Sequence, residues 1–339
     1  MKLIIHMQRL QFIFFNFNME NKHLLIYHKE DNDGVFSGAL IYNYFKEHLK
    51  ENNIKLFGAD YNELNKLWDT KEIYNWDFDK IIMTDISFND PNAMKYLYER
   101  FGNNFFWIDH HAPIIKESHN HKFYGCPGLR DSSNSAIVNA YKFFYNENDK
   151  IPELLKILSA WDSFTFEREG YKLEYVSKVN VGIKFMFNLD IIKVINLLRN
   201  LVAYGEDSDI EVNKSLISSA YTYGDIILTA KEQEDAQLIA NCGDFSWTVD
   251  NRTACALFIQ GASNSQIFKT VKDKVKNGVV FKRLKDGNWV ISLYNANLDD
   301  TFHCGEYLKN KYNGGGHLGA AGCQISEKQF IEILKTHEI

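Results

Sequence analysis

The first half of the chain sets short apolar runs against longer stretches in which apolar residues recur every three or four positions. The runs are HLLIY (23–27), IKLFGA (54–59), KIIMT (80–84) and NFFWI (104–108). Each has the length of a strand and little polar alternation, which predicts strands buried on both faces. GVFSGALIYNYFKEHLK (34–50) and PNAMKYLYERF (91–101) carry the helical spacing between them. This alternation predicts β-α-β units around a parallel sheet, an α/β fold.

Two more amphipathic patterns follow, NSAIVNAYKFFYN (134–146) and PELLKILSAWD (152–162). Residues 186–238 read as largely helical, beginning with DIIKVINLLRNLVAYGE. Strands return with TACALFI (253–259), GVVFKRL (278–284) and NWVISLY (288–294), with a helical NSQIFKTVKDKV (264–275) between the first two. NGGGHLGAAG (313–322) and a helix, EKQFIEILKTH (327–337), close the chain. The expected organisation is a parallel-sheet domain at 19–185, a helical connector at 186–238 and a smaller α/β domain at 239–339. Residues 1–18 are expected to be a non-domain leader before a start at Met19, because MENKHLLIYHKED runs directly into the first strand.

Composition narrows the classes. A chain of 339 residues with 45% hydrophobic and 24% charged residues can bury a large core. Its formal net charge of −6 argues against a stable complex with long nucleic acid through a broad basic surface, but leaves room for small phosphorylated substrates. The five cysteines, Cys126, Cys242, Cys255, Cys304 and Cys323, are scattered and odd in number, which points to a reducing, cytoplasmic setting. The apolar start is interrupted by His6, Gln8, Arg9 and Gln11 and is shorter than the ~20 residues of a membrane span, so no membrane partner is expected.

Chemistry gathers where the predicted strands end. His28, Asp31 and Asp33 follow the first, Asp85 follows KIIMT, and Asp109, His110 and His111 follow NFFWI, while Asp162 interrupts an apolar helical run. Singly, each has a structural role open to it: Asp31 and Asp33 as caps, Asp85 as a turn residue, Asp162 as a helix end. Ligands of open parallel sheets bind beyond the carboxyl ends of the strands, so one shared edge accounts for all of them together. Carboxylates mixed with imidazoles suit Mn²⁺, Fe²⁺, Co²⁺ or Zn²⁺, and crowded carboxylates need cations to stay ionised. At least four carboxylates and two histidines are on hand, enough for two divalent ions with open positions acting on a phosphate.

Five motifs in this order, HKEDNDG, MTDIS, IDHH, AWDSF and GGGHLGAAG, resemble the DHH phosphoesterase superfamily, in the branch with a DHH-associated C-terminal domain. The resemblance spans nearly the whole chain from Met19. It implies a catalytic domain with two metal ions, usually Mn²⁺, and a smaller substrate-binding domain. Carried over by motif, His28, Asp31 and Asp85 would hold one ion, and Asp33, Asp85, His110 and Asp162 the other, with Asp85 as the bridge. Asp109 would orient the neighbouring imidazoles and His111 would approach the scissile phosphate or leaving group. Gly314, Gly315, Gly316 and His317 would cradle a terminal phosphate or nucleotide. HKEDNDG departs from the family in spacing, since Lys29 and Glu30 stand between the first histidine and the aspartates; Glu30 is expected to face solvent.

Arg130 and Ser132, before a helix start, form a candidate anion site. The basic stretch with Lys272, Lys274, Lys276, Lys282 and Arg283 is a weaker candidate, since a solvated face explains it equally well, and Arg252 and Asn264, chosen for their position near strand ends, are weaker still. The function expected is hydrolysis of short oligonucleotides, as in the nanoRNases, or of small nucleotides such as 3′-phosphoadenosine 5′-phosphate. Cyclic or linear dinucleotide phosphodiesterase activity is the alternative, with pyrophosphate or polyphosphate hydrolysis and a non-catalytic nucleotide-binding role behind it. A homodimer is compatible with the sequence.

Overall fold

The computed structural model describes residues 22–47, 49–50, 53–119, 121–145, 150–203, 209–260, 265–296, 301–316 and 318–339. The expected leader at 1–18, Asn264 and His317 lie outside them. The chain divides into two compact units, Met1–Ile227 and Leu228–Ile339.

The first unit is built on four parallel strands, β1 (His23–His28), β2 (Ile54–Ala59), β3 (Lys80–Thr84) and β4 (Phe105–Ile108), in the order β2-β1-β3-β4. Alternate residues of the apolar runs enter two different cores. Leu25, Ile82, Phe106 and Ile108 meet one set of buried residues, and Leu24, Ile26, Ile81, Met83, Phe105 and Trp107 meet the other. That two-sided burial is why these strands are apolar at successive positions. The first core is closed by α1 (Asn32–Glu47), α5 (Ala136–Phe144), α6 (Glu153–Asp162), α7 (Leu173–Phe187) and α8 (Ile191–Ala203). The second is closed by α2 (Tyr61–Asp69), α3 (Pro91–Phe101) and the short α4 (Ala112–Ser118).

One strand departs from expectation. IKLFGA is not buried on both faces: β2 is an edge strand, with Lys55 exposed and Ile54, Leu56, Phe57 and Gly58 only partly covered. Lys55 marks such an edge, where a charge discourages pairing with another chain. Helices α2 and α7 are absent from the sequence reading. α2 nevertheless carries a full capping box, Asp60 accepting from the Glu63 N–H and the Glu63 carboxylate accepting from the Asp60 N–H.

The second unit holds a mixed six-stranded sheet in the order β5-β6-β7-β8-β10-β9, from β5 (Asp244–Val249), β6 (Arg252–Phe258), β7 (Asn277–Arg283), β8 (Trp289–Asn295), β9 (Gly315–Gly316) and β10 (Ala320–Ile325). Only β6 and β7 pair in parallel. Helix α9 (Asp209–Cys242) contains the boundary between the units, while α10 (Cys304–Tyr312) and α11 (Glu327–Thr336) belong to the second. The helix expected over 264–275 is a 3-10 segment at Ser265–Val271 followed by turns, placing the Phe268 ring over Gly278, where a Cβ would have no room. β10 escapes the sequence pattern because AAGCQI has one β-branched residue and no aromatic. Among the described residues, no helix is long and apolar enough to cross a membrane.

Gly34 shows how tightly α1 is set against β1. A Cβ there would lie 2.1 Å from the His28 carbonyl oxygen. Gly34→Ala should therefore force the first turn of α1 off the strand end and destabilise the protein by about 1–3 kcal/mol, measured by urea unfolding.

Candidate metal centre

Every strand of the first sheet delivers polar side chains at its carboxyl end. β1 ends in His28, with Asp31 and Asp33 at the entry of α1. Asp85 follows β3 in a left-handed backbone conformation (φ 58°), its N–H donating to the Ile108 carbonyl, so the strand turns sharply as soon as it ends. β4 leads into Asp109, His110 and His111, and Asp162 is the last residue of α6.

These residues converge in two sets. His28 Nδ1 lies 3.0 Å from Asp31 Oδ2 and 3.6 Å from Asp85 Oδ2. His110 Nε2 lies 3.1 Å from Asp162 Oδ2, 3.3 Å from Asp85 Oδ1 and 3.5 Å from Asp33 Oδ2. Asp85 thus directs one carboxylate oxygen to each set. His28, Asp31 and Asp85 form one group able to hold a metal ion, and Asp33, His110 and Asp162 another. Asp85, His110 and His111 are a third such combination. Glu30 stands apart, its side chain 61% exposed and its carboxylate 3.8 Å from His28 Nε2.

The donor set fits a divalent cation. His28 Nε2 and Asp85 Oδ1 are buried, and neither has a hydrogen-bond partner among the described residues. Burial and the neighbouring Asp33 charge hold the Asp85 carboxyl well above the usual carboxylate range. Burial, with Asp33 and Asp85 nearby, pushes Asp162 up to about 9. Burial would lower His28, but Asp31 and Asp85 raise it to about 10. Negative charge is therefore in excess here, the condition that a bound cation relieves.

Asp33 and Asp31 also perform the structural roles open to them. Asp31 Oδ1 accepts from the Gly34 N–H at 2.9 Å, capping its own helix. Asp33 caps a different one: its oxygens accept from the Ala136 and Ile137 N–H groups at 2.8 and 2.9 Å. The anion site at the start of α5 is thus filled by the protein's own carboxylate. Arg130 is correspondingly tied inward. Its two terminal nitrogens donate to the carbonyls of Trp107, Tyr124 and Cys126, and the guanidinium lies over the Trp107 and Tyr124 rings. Ser132 is exposed in the adjoining turn.

Asp109 is fully buried and holds the DHH segment together. Its Oδ1 accepts from the His110 and His111 N–H groups and from His111 Nδ1 at 2.7 Å; its Oδ2 accepts from Trp107 Nε1 at 2.9 Å. Although burial opposes it, the His111 contact keeps Asp109 below the usual carboxylate range. His111 Nδ1 is therefore the donor, which leaves Nε2 on the opposite edge of the ring. The His111 side chain is 39% exposed, against 13% for His110. The sequence reading missed Tyr61, the first residue of α2, whose hydroxyl lies 3.5 Å from His111 Nε2 and whose ring contacts those of His28 and His111. The available signal was positional: β2 ends at the same edge as the other strands.

In the second unit, Gly314 and Gly316 are needed for packing. A Cβ on Gly314 would meet Cys323 Cβ and the Gly322 carbonyl at 2.6 Å, and Gly316 has φ 149° with Ala320 O 2.4 Å from its Cβ position. Gly315 faces open space. Arg252 donates to Thr301 and lies over the Phe302 ring.

A parallel α/β unit that gathers imidazoles and carboxylates at its strand ends into adjoining ligand sets is a metal-capable domain of the DHH type. The family model described as DHH family, N-terminal domain, matches residues 23–160. No curated protein matches the chain in sequence. Among solved structures, the DHH domain of a member of the s1p family of ribosomal proteins is similar at 13% identity and a TM-score of 0.53, covering 94% of this chain and 85% of its own. Exonuclease RecJ bound to manganese (15% identity, 94% and 89% coverage, TM-score 0.48) and an exopolyphosphatase-related protein from Bacteroides fragilis (12%, 99% and 96%, 0.47) are similar at lower scores.

Two predictions follow from the charge balance and from Asp109. Asp162 is raised from 3.8 to about 9, so the unfolded chain ionises first and stability falls as pH rises from about 4 towards 9. His28 is raised from 6.5 to about 10, so its contribution, complete below 6.5, is also lost as pH rises through 10. Metal-free protein should accordingly melt at a lower temperature at pH 9 than at pH 6, and added Mn²⁺ should remove the difference; equal melting temperatures in chelator would count against this account. Asp109→Asn removes the charge that fixes His111 and turns one of the two acceptor oxygens into a donor, and should weaken metal binding or activity roughly 10- to 100-fold, read by Mn²⁺ titration.

Proposed function

We propose that the protein is a manganese-dependent phosphoesterase that hydrolyses short oligonucleotides or small nucleotides, in the manner of a nanoRNase. The observation that carries this reading is the convergence of His28, Asp31, Asp33, Asp85, His110 and Asp162 into two ligand sets that meet at Asp85, with the more exposed His111 beside them. Mixed nitrogen and oxygen donors favour a transition-metal cation such as Mn²⁺ over Mg²⁺ or Ca²⁺, which take oxygen ligands. Two divalent cations held there would lower the pKa of an attacking water and offset the charge of an in-line displacement at phosphorus.

The chain's own residues supply the remaining parts. Asp85 fixes the spacing of the two sets by offering an oxygen to each. Asp109 holds the His111 ring with Nε2 outward, where it meets the phosphate or leaving group. Tyr61 packs edge-on against that ring, with its hydroxyl 3.5 Å from Nε2. In the second unit we assign phosphate contact to Gly315, whose surroundings are open. Small substrates suit a chain of net charge −6, and the scattered free cysteines suit the cytoplasm.

The test is incubation with Mn²⁺ and labelled di- to pentanucleotides, with a cyclic dinucleotide, 3′-phosphoadenosine 5′-phosphate and pyrophosphate in parallel. Release of mononucleotide from the short oligomers is expected, and Asp85→Ala and His110→Ala should each abolish it. Turnover of pyrophosphate alone, or undiminished hydrolysis by both variants, would overturn the proposal.

A further inference from the structure

Helix α6 ends in a way that normally calls for glycine. The Phe164 N–H donates to the Trp161 carbonyl at 3.4 Å and the Thr165 N–H to the Ala160 carbonyl at 3.1 Å. This nested pair closes a helix through one residue in the left-handed conformation, a position glycine commonly fills because it has no Cβ. Here the residue is Phe164, at φ 53°. A bulky side chain is unfavourable in that conformation.

Burial does not offset the strain. The Phe164 side chain is 75% exposed, the highest value for a large apolar residue among those described. Single exposed apolar residues are ordinary on protein surfaces. A phenylalanine both strained and exposed is not explained by folding. Its ring centroid lies 6.3 Å from that of Trp161, at 31° between planes, and Trp161 itself packs partly against the first core. Between the two aromatics sits Asp162, directed at His110 Nε2. Two backbone steps place the Phe164 Cα within roughly 7.6 Å of the Asp162 Cα. The helix end therefore carries an exposed aromatic ring two residues from a member of the proposed phosphate-binding centre.

We propose that Phe164, backed by Trp161, is a stacking platform for a nucleobase of the substrate. The inference rests on the phosphoesterase reading and deepens it: the ester hydrolysed carries a base close to the scissile phosphate. Stacking accepts any base, because each presents a π-face, so the platform selects for the presence of a base and not for its identity.

Adenosine 5′-monophosphate and ribose 5-phosphate share a sugar and a phosphate and differ by the base. Their affinities for the Mn²⁺-loaded protein, measured by calorimetry, give a ratio that isolates the base. In the wild type this ratio should favour the monophosphate, and in Phe164→Gly it should collapse about tenfold. Phe164→Tyr should keep it. Phe164→Gly removes a side chain from a strained position, so its melting temperature should equal or exceed that of the wild type by a few degrees. A wild-type ratio near one, or a ratio unchanged in Phe164→Gly, would overturn the inference. Failure of the broader reading shows separately, as absence of mononucleotide release from short oligomers by the wild type.

Discussion

Three carboxylates around one imidazole nitrogen set the terms for the first unit. Asp33, Asp85 and Asp162 each bring an oxygen to within 3.5 Å of His110 Nε2, and Asp33 and Asp85 are almost wholly buried. Like charges in so small a volume of low dielectric cannot all ionise unaided. The raised Asp85 and Asp162 express that conflict, and so does the buried Asp85 Oδ1 without a hydrogen-bond partner. Bound cations would complete the charge balance of such a cluster.

The cluster persists because its members are anchored by interactions that do not depend on a ligand. Asp33 is held by two N–H groups at the start of α5, more than a hundred residues away in the chain. Asp85 is fixed by the turn that ends β3, and Asp109 by four donors from its own segment and Trp107. Asn139 donates to the carbonyls of Asp109 and Asp131, tying α5 to the same edge. Capping and metal binding are therefore not alternatives for Asp31 and Asp33. In Asp31 the oxygens divide, Oδ1 capping the helix and Oδ2 facing His28, whereas in Asp33 the Oδ2 that faces His110 also accepts from the Ala136 N–H and keeps a second lone pair for a cation.

Much of this was legible in the chain. Short apolar runs alternating with helical spacing specify a parallel sheet, and HLLIY, KIIMT and NFFWI a two-sided one, because only burial on both faces demands apolar residues at successive positions. The polar ends of HLLIY, KIIMT and NFFWI then fall on one edge by topology. Weaker signals failed where the physics was not local. β10 is made of small residues whose strand character comes from pairing with β8. NSQIFKTVKDKV has helical spacing, yet Phe268 is held by packing over Gly278. Arg130 looked available for an anion because sequence does not reveal that Trp107, Tyr124 and Cys126 present their carbonyls to it.

The sequence by itself determined the class of fold, the edge on which the polar residues gather and the kinds of donor there, since periodicity and residue type are local properties. Tertiary structure decided the partition of those donors. It set Asp85 between two imidazoles, sent Asp33 to the α5 N-terminus and brought Tyr61 to His111. These are distances between residues far apart in the chain, fixed only when both cores close on the sheet.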